Sequence, residues 1–89
     1  MLTDDLKNLL AHKKDREMRR HALGNVATFC MRMMNSEAAD GIPESANQYQ
    51  EIGNRIIAWA AEEDFTAETK VMKNGELIIS MIDERKRRK

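Results

Sequence analysis

Apolar positions first fall into helical phase over residues 18–34. At about 100° per residue, Met18, Ala22, Leu23, Val26, Phe29, Cys30 and Met33 gather in a stripe roughly 140° wide. This longest patterned apolar segment predicts the helix against which everything else finds its place. Upstream, Leu2, Leu6, Leu9 and Leu10 form a second apolar face, centred roughly 140° around the same helix. One flat core cannot take both. Either a single long, bipartite helix starts near Thr3, with Asp4 and Asp5 in its first turn, or the helix breaks near residues 11–16 or at Gly24-Asn25. The continuous helix is favoured, because the apolar phase holds across Gly24 at a cost of only about 1 kcal/mol relative to alanine. Gly24 would then mark the close approach of another helix.

The first helix is expected to stop between Asn35 and Asp40, where Asp40-Gly41 ends it and Pro43 presets the first turn of the next. Ser45 and Gln48, at capping-box spacing, offer a second start point. Ala46, Tyr49, Ile52, Ile56, Trp59 and Ala60 then share one helical face beside Gly53, opposite Asn54, Arg55 and Ala61. Glu62-Glu63-Asp64 closes this helix with the wrong charge for a C-terminus, so those acids call for a basic neighbour on the first helix or the tail. Beyond them the period drops to two, and Asn74-Gly75 divides two β-prone runs, which predicts a hairpin with a type I′ turn. Its expected register pairs Lys73 with Glu76, Val71 with Ile78, Thr69 with Ser80 and Ala67 with Ile82. The other face would hold Met72, Leu77, Ile79 and Met81. The competing all-α arrangement caps a short helix at Thr66 and gathers Leu77, Ile78, Met81 and Ile82 on a later one. The expected fold is therefore α+β, mainly α: a two-helix antiparallel core with a C-terminal β-hairpin, in one domain over residues 1–84, followed by a frayed basic tail at 85–89.

At 89 residues there is no material for two cores. Aromatic residues make up only 4%, so the core is aliphatic and methionine-filled. Cys30 is the one cysteine, which excludes an internal disulfide or a cysteine-built zinc site. The acidic start and the lack of a long apolar run point to a cytoplasmic, non-exported protein with no membrane contact. Net charge is zero but arranged in blocks: residues 6–35 carry seven Lys/Arg against two acids, residues 36–68 eight acids against Arg55, and residues 69–89 seven Lys/Arg against three acids. Mutual neutralisation of the blocks is the plain account; an open basic face is the sharper one.

Little catalytic chemistry can be assembled from these residues. His12 and His21 lie on opposite sides of a straight helix, and Glu17 with His21 at i,i+4 makes an ion pair, not a metal site. No glycine-rich phosphate cradle exists, and Ser36, Ser45 and Ser80 stand in no nucleophile context. No catalytic residue, metal, cofactor or small-molecule substrate is expected. In size and composition the chain resembles the small accessory proteins of bacteria and their phages, though no motif names a family.

The function expected is a protein–protein interaction module: a dimeric regulator, adaptor or inhibitor that acts by surface contact. Leu2, Leu6, Leu9 and Leu10, joined by Met31 and Met34, would meet a second copy or a protein partner. The alternative is a nucleic-acid-associated regulator. It would use the basic neck (Lys13, Lys14, Arg16, Arg19, Arg20), Lys70 and Lys73 on the hairpin, and the tail Arg85, Lys86, Arg87, Arg88 and Lys89. Helix, turn, helix and hairpin in that order loosely suggest a winged helix. The second helix is acidic, however, and phosphates would repel it.

Overall fold

The structure, a computed structural model, describes residues 15–87. Four main elements follow in order: α1 (Arg16–Ala39), α2 (Pro43–Glu62), β1 (Phe65–Val71) and β2 (Leu77–Asp83), with one last helical turn, α3 (Glu84–Arg87). The α+β reading, mainly α with a C-terminal hairpin, is borne out, and the all-α alternative is not.

Asp15 is extended (φ −85°, ψ 116°), and its carboxylate accepts from the Glu17 N–H, so it caps the N-terminus of α1. The favoured continuous helix through residues 11–16 is thereby corrected: a helix begins at Arg16. The leucine face and the proposed start near Thr3 lie outside the described residues. α1 does run unbroken through Gly24, then ends at the expected Asp40-Gly41 stop, with Gly41 at φ +75°. Pro43 opens α2 at its first turn, and Ser45 does not serve as its cap.

Leu23, Ala27, Ile56, Ala60, Phe65, Ile79 and Met81 form the core, with Ile52, Trp59 and others half-buried around it. The face foreseen on α2 is the one that packs, Ala46, Ile56 and Ala60 being buried. On α1 the expected stripe is corrected. Leu23 and Cys30 are buried, but Met18 and Phe29 are 52% and 56% exposed, whereas Gly24 and Ala27 are buried. The buried face is centred about 100° from the stripe, because α1 is covered from two sides. α2 lies on one, and β2 lies on the other, met by Gly24 and Thr28, which carry no hydrophobic signal.

The hairpin is antiparallel, with Val71 opposite Leu77, Thr69 opposite Ile79, Ala67 opposite Met81 and Phe65 opposite Asp83. This is one residue away from the expected register, and the turn is the cause. Met72 N–H donates to Glu76 O at 2.8 Å and Gly75 N–H to Met72 O at 2.9 Å, leaving a three-residue loop in which Gly75 alone has positive φ. Asn74 does not enter the left-handed region; its side chain instead accepts from the Glu76 N–H at 3.0 Å. A one-residue slip exchanges faces, and here it sets Phe65 and Ala67 on the same side as Ile79 and Met81, which makes the core.

α1 also finishes the outer edge of β2. Along an i,i+4 row, Arg20 Nη1 donates to Met81 O at 2.7 Å, the Thr28 hydroxyl contacts Ile79 O at 3.0 Å and accepts from Ile79 N–H at 2.9 Å, and Arg32 Nε donates to Leu77 O at 3.1 Å. Between Arg20 and Thr28 stands Gly24, where a Cβ would come within 3.2 Å of Ile79 O. From Thr28 to Arg32 the helix rises about 6 Å against about 6.8 Å from Ile79 to Leu77, while Arg20, about 12 Å up the helix from Thr28, spans the larger offset to Met81 with its long side chain.

Two substitutions test this contact by urea denaturation. Thr28→Val keeps the shape but leaves the Ile79 N–H without its acceptor, and is expected to cost about 1–3 kcal/mol while Thr28→Ser costs less. Gly24→Val forces branched carbon against the Ile79 backbone and is expected to cost a similar amount by overpacking.

Candidate functional site

The charged end of the molecule is built on Arg16, the first residue of α1. Its guanidinium meets Asp83 in a two-point pair, Nε to Oδ2 at 3.1 Å and Nη2 to Oδ1 at 3.0 Å, and also donates to Glu63 O at 2.6 Å. The same group lies 4.1 Å from the centre of the Phe65 ring. One side chain thus joins the start of α1, the end of α2 and both strands. Asp83 is 7% exposed, and its second support is the Arg85 N–H at 3.0 Å. The hydrogen bonds from Arg16 hold the Asp83 carboxyl below the ordinary carboxylate range, and the pair raises Arg16 in turn.

Around this pair the remaining charges close on one another. Arg19 pairs with Glu63 at 3.1 Å, Arg20 with Glu17 at 2.9 Å, Lys86 with Glu17 at 2.8 Å and Arg85 with Asp64 at 3.1 Å. The acids ending α2 do find basic neighbours on the first helix and the tail. Hydrogen bonds from Arg20 and then Lys86 lower Glu17 to about 2. His21 stands 4.0 Å from Glu17 as its i,i+4 neighbour. Asp64 takes the left-handed conformation (φ 63°) that turns the chain from α2 into β1.

The basic residues of the alternative site are thus dispersed among acids. Arg16, Arg19 and Arg20 turn inward, Arg87 pairs with Glu84 at 3.2 Å, Lys70 approaches Glu68 at 3.8 Å, and Lys73 lies on the exposed hairpin turn. Residues 85–87, read as frayed tail, form α3 with Glu84. Lys13, Lys14, Arg88 and Lys89 lie outside the described residues, as do Leu2, Leu6, Leu9 and Leu10.

Met31 and Met34 are both half-buried. Met31 packs against the core, and Met34 lines a small cavity of about 80 Å³ between α1 and α2, with Cys30, Tyr49 and Gly53. Substrate-sized pockets are of the order of 300–1,000 Å³. Burial pushes the Cys30 thiol up, away from the reactive thiolate. Among the described residues, no three His, Cys, Asp or Glu side chains converge to hold a metal, and no helix is long and apolar enough to cross a membrane.

The apolar surface instead lies on the outer side of α1. Met18 and Phe29 project there, and Phe29 meets Tyr49 of α2 edge-on, with ring centroids 6.2 Å apart. Helical periodicity does find these two residues but reads them as core. Sequence reasoning misses Arg32 and Thr28 as β2 partners; the spacing of four through Arg16, Arg20, Gly24, Thr28 and Arg32 is their one signal. Comparison with protein-family models, with curated proteins and with solved structures gives no match.

The lowered carboxyls make stability sensitive to acid. Asp83 and Glu17 titrate lower in the folded chain than in the unfolded one, so their contribution is present above the unfolded value of about 4 and fades as pH falls through the folded value, about 2 for Glu17. Asp83→Asn is expected to lower the melting temperature by several degrees at neutral pH. In thermal scans, that deficit is expected to shrink as pH falls below the unfolded value of about 4 and the Asp83 carboxylate of the native chain takes up its proton.

Proposed function

We propose that the protein is a small cytoplasmic protein–protein interaction module, a regulator, adaptor or inhibitor of bacterial or phage type, acting by surface contact without catalysis. The observation that carries this reading is the division of α1. Its arginines turn inward to the hairpin and the acids, while Met18 and Phe29 stay in contact with solvent. An apolar strip kept outward on a domain with so little apolar material to spare is what a partner surface requires. The leucines at positions 2, 6, 9 and 10 would add to the same kind of contact. The nucleic-acid alternative draws less support, since Arg16, Arg19 and Arg20 are engaged with Asp83, Glu63 and Glu17.

Light scattering of the full chain at about 0.1 and 0.5 M salt, with and without a mixed-sequence DNA duplex, separates the two. The interaction module is expected to assemble beyond a monomer at both salts and to ignore the DNA. A monomer that gains mass only with DNA at low salt would overturn it. Lys13→Glu with Lys14→Glu is then the informative change, because reversing Arg19 or Arg20 breaks contacts within the fold. The surface assignment is tested separately by circular dichroism. Leu6→Asp with Leu9→Asp, and Met18→Ser with Phe29→Ser, are expected to keep helical content and melting temperature; unfolding would place those side chains in the core.

A further inference from the structure

The two edges of the hairpin are treated differently. Met72 N–H donates to Glu76 O and Glu84 N–H to Asp64 O, so the even-numbered residues of both strands bond across the hairpin and the odd-numbered ones direct N–H and C=O outward. On β2 those outward groups, at Leu77, Ile79 and Met81, are met by Arg32, Thr28 and Arg20. On β1 the corresponding residues are Ala67, Thr69 and Val71, and among the described residues no helix side chain bonds to their backbone. β1 carries no proline or glycine, and its lysine is offset by a glutamate two positions away. Of the usual devices that blunt an exposed edge, the described residues supply only the charges of Glu68 and Lys70, which are of opposite sign.

We propose that β1 is a self-association edge, pairing antiparallel with β1 of a second copy about a two-fold axis at Thr69. Charge selects this register. With Thr69 opposite Thr69, Glu68 of each copy stands opposite Lys70 of the other, in the non-hydrogen-bonded positions where side chains come closest. A shift that centres the axis on residue 68 sets Glu68 against Glu68, and one centred on residue 70 sets Lys70 against Lys70. Within one copy the two side chains are solvent-exposed and only loosely associated at 3.8 Å; across the axis each gains a facing partner. The hydrogen-bond phase agrees, since Ala67, Thr69 and Val71 all offer outward groups and pair as 67 with 71 and 69 with 69. Val71, 69% exposed and the most exposed large apolar residue described, then lies beside Ala67 of the second copy. The product is a four-stranded sheet whose outermost strands are both β2, each already finished by α1.

This inference deepens the interaction-module reading by assigning the second copy to β1, which leaves the outer side of α1 to another partner. A five-residue edge is a small interface, so the dimer is expected to dissociate in the micromolar range. Sedimentation equilibrium of the full chain from about 10 μM to about 1 mM tests it. Glu68→Lys alone and Lys70→Glu alone are each expected to weaken the dimer about tenfold or more by placing like charges opposite. Mixing the two variants is expected to restore association, because positions 68 and 70 are then both basic in one copy and both acidic in the copy that faces it. Amide exchange at Ala67, Thr69 and Val71 is expected to slow as concentration rises. A chain that stays monomeric to about 1 mM overturns the proposal, as does a dimer untouched by either charge change. A dimer lost only in Leu6→Asp with Leu9→Asp overturns it too, while leaving the interaction-module reading in place.

Discussion

A two-stranded hairpin is unstable in water by itself, and what holds this one is the row of side chains that α1 lays along β2. Arg20, Thr28 and Arg32 meet alternate backbone groups of the strand, and Gly24 lets helix and strand close to contact. The i,i+4 step from Thr28 to Arg32 nearly matches the two-residue step from Ile79 to Leu77, and the long side chain of Arg20 bridges the larger offset to Met81. Everything else is placed by this row. With β2 fixed against α1, the alternation of the strand sends Ile79 and Met81 into the core, and β1 can bring Phe65 there in only one register. Arg16 then locks the free end of the row by holding Asp83, the Glu63 carbonyl and the Phe65 ring at once.

This dependence explains which parts of the fold were legible in the sequence. Signals internal to one segment could be read: the Asp40-Gly41 stop, Pro43 at the start of α2, the period of Ala46, Ile56 and Ala60, and a turn at Asn74-Gly75. Signals depending on what a segment meets could not. The hydropathy of α1 weighs Met18 and Phe29 heavily and Gly24 and Thr28 hardly at all, yet a polar strand edge selects small and hydrogen-bonding residues. The hairpin register failed for a related reason. Asn74 satisfies a turn through its side chain as readily as through a left-handed backbone, and the choice between two- and three-residue loops is made by core packing at Phe65 and Ile79. The candidate site was legible only as composition. Charge blocks were visible, but whether they face outward or meet one another is a property of the folded chain.

They largely meet one another. The basic start of α1 and the last turn α3 converge on the acids at this end, so that among the described residues these charges pair with one another. Exposed pairs of this kind contribute little energy each, but they are selective about geometry, and the partly buried Arg16–Asp83 pair is the least exposed of them. Its removal would leave a buried carboxylate without its cation, which makes the pair a condition of the fold more than a source of stability.

The same division of surfaces bears on function. Arg16, Arg20 and Arg32 are committed to the chain's own backbone, and the described residues offer outward apolar side chain on α1 and hydrogen-bonding backbone on β1. These two surfaces differ in kind. Side chains on a helix accept partners of many shapes, whereas a strand edge accepts only another strand, and its side chains then select which one and in what register. For β1, alternating Glu68 and Lys70 about a central threonine makes the strand complementary to itself. Self-pairing also removes the only strand edge that the described part of the chain leaves unfinished. Among the described residues no side chain finishes the β1 edge as α1 finishes that of β2, and in the proposed pairing a second copy takes that place.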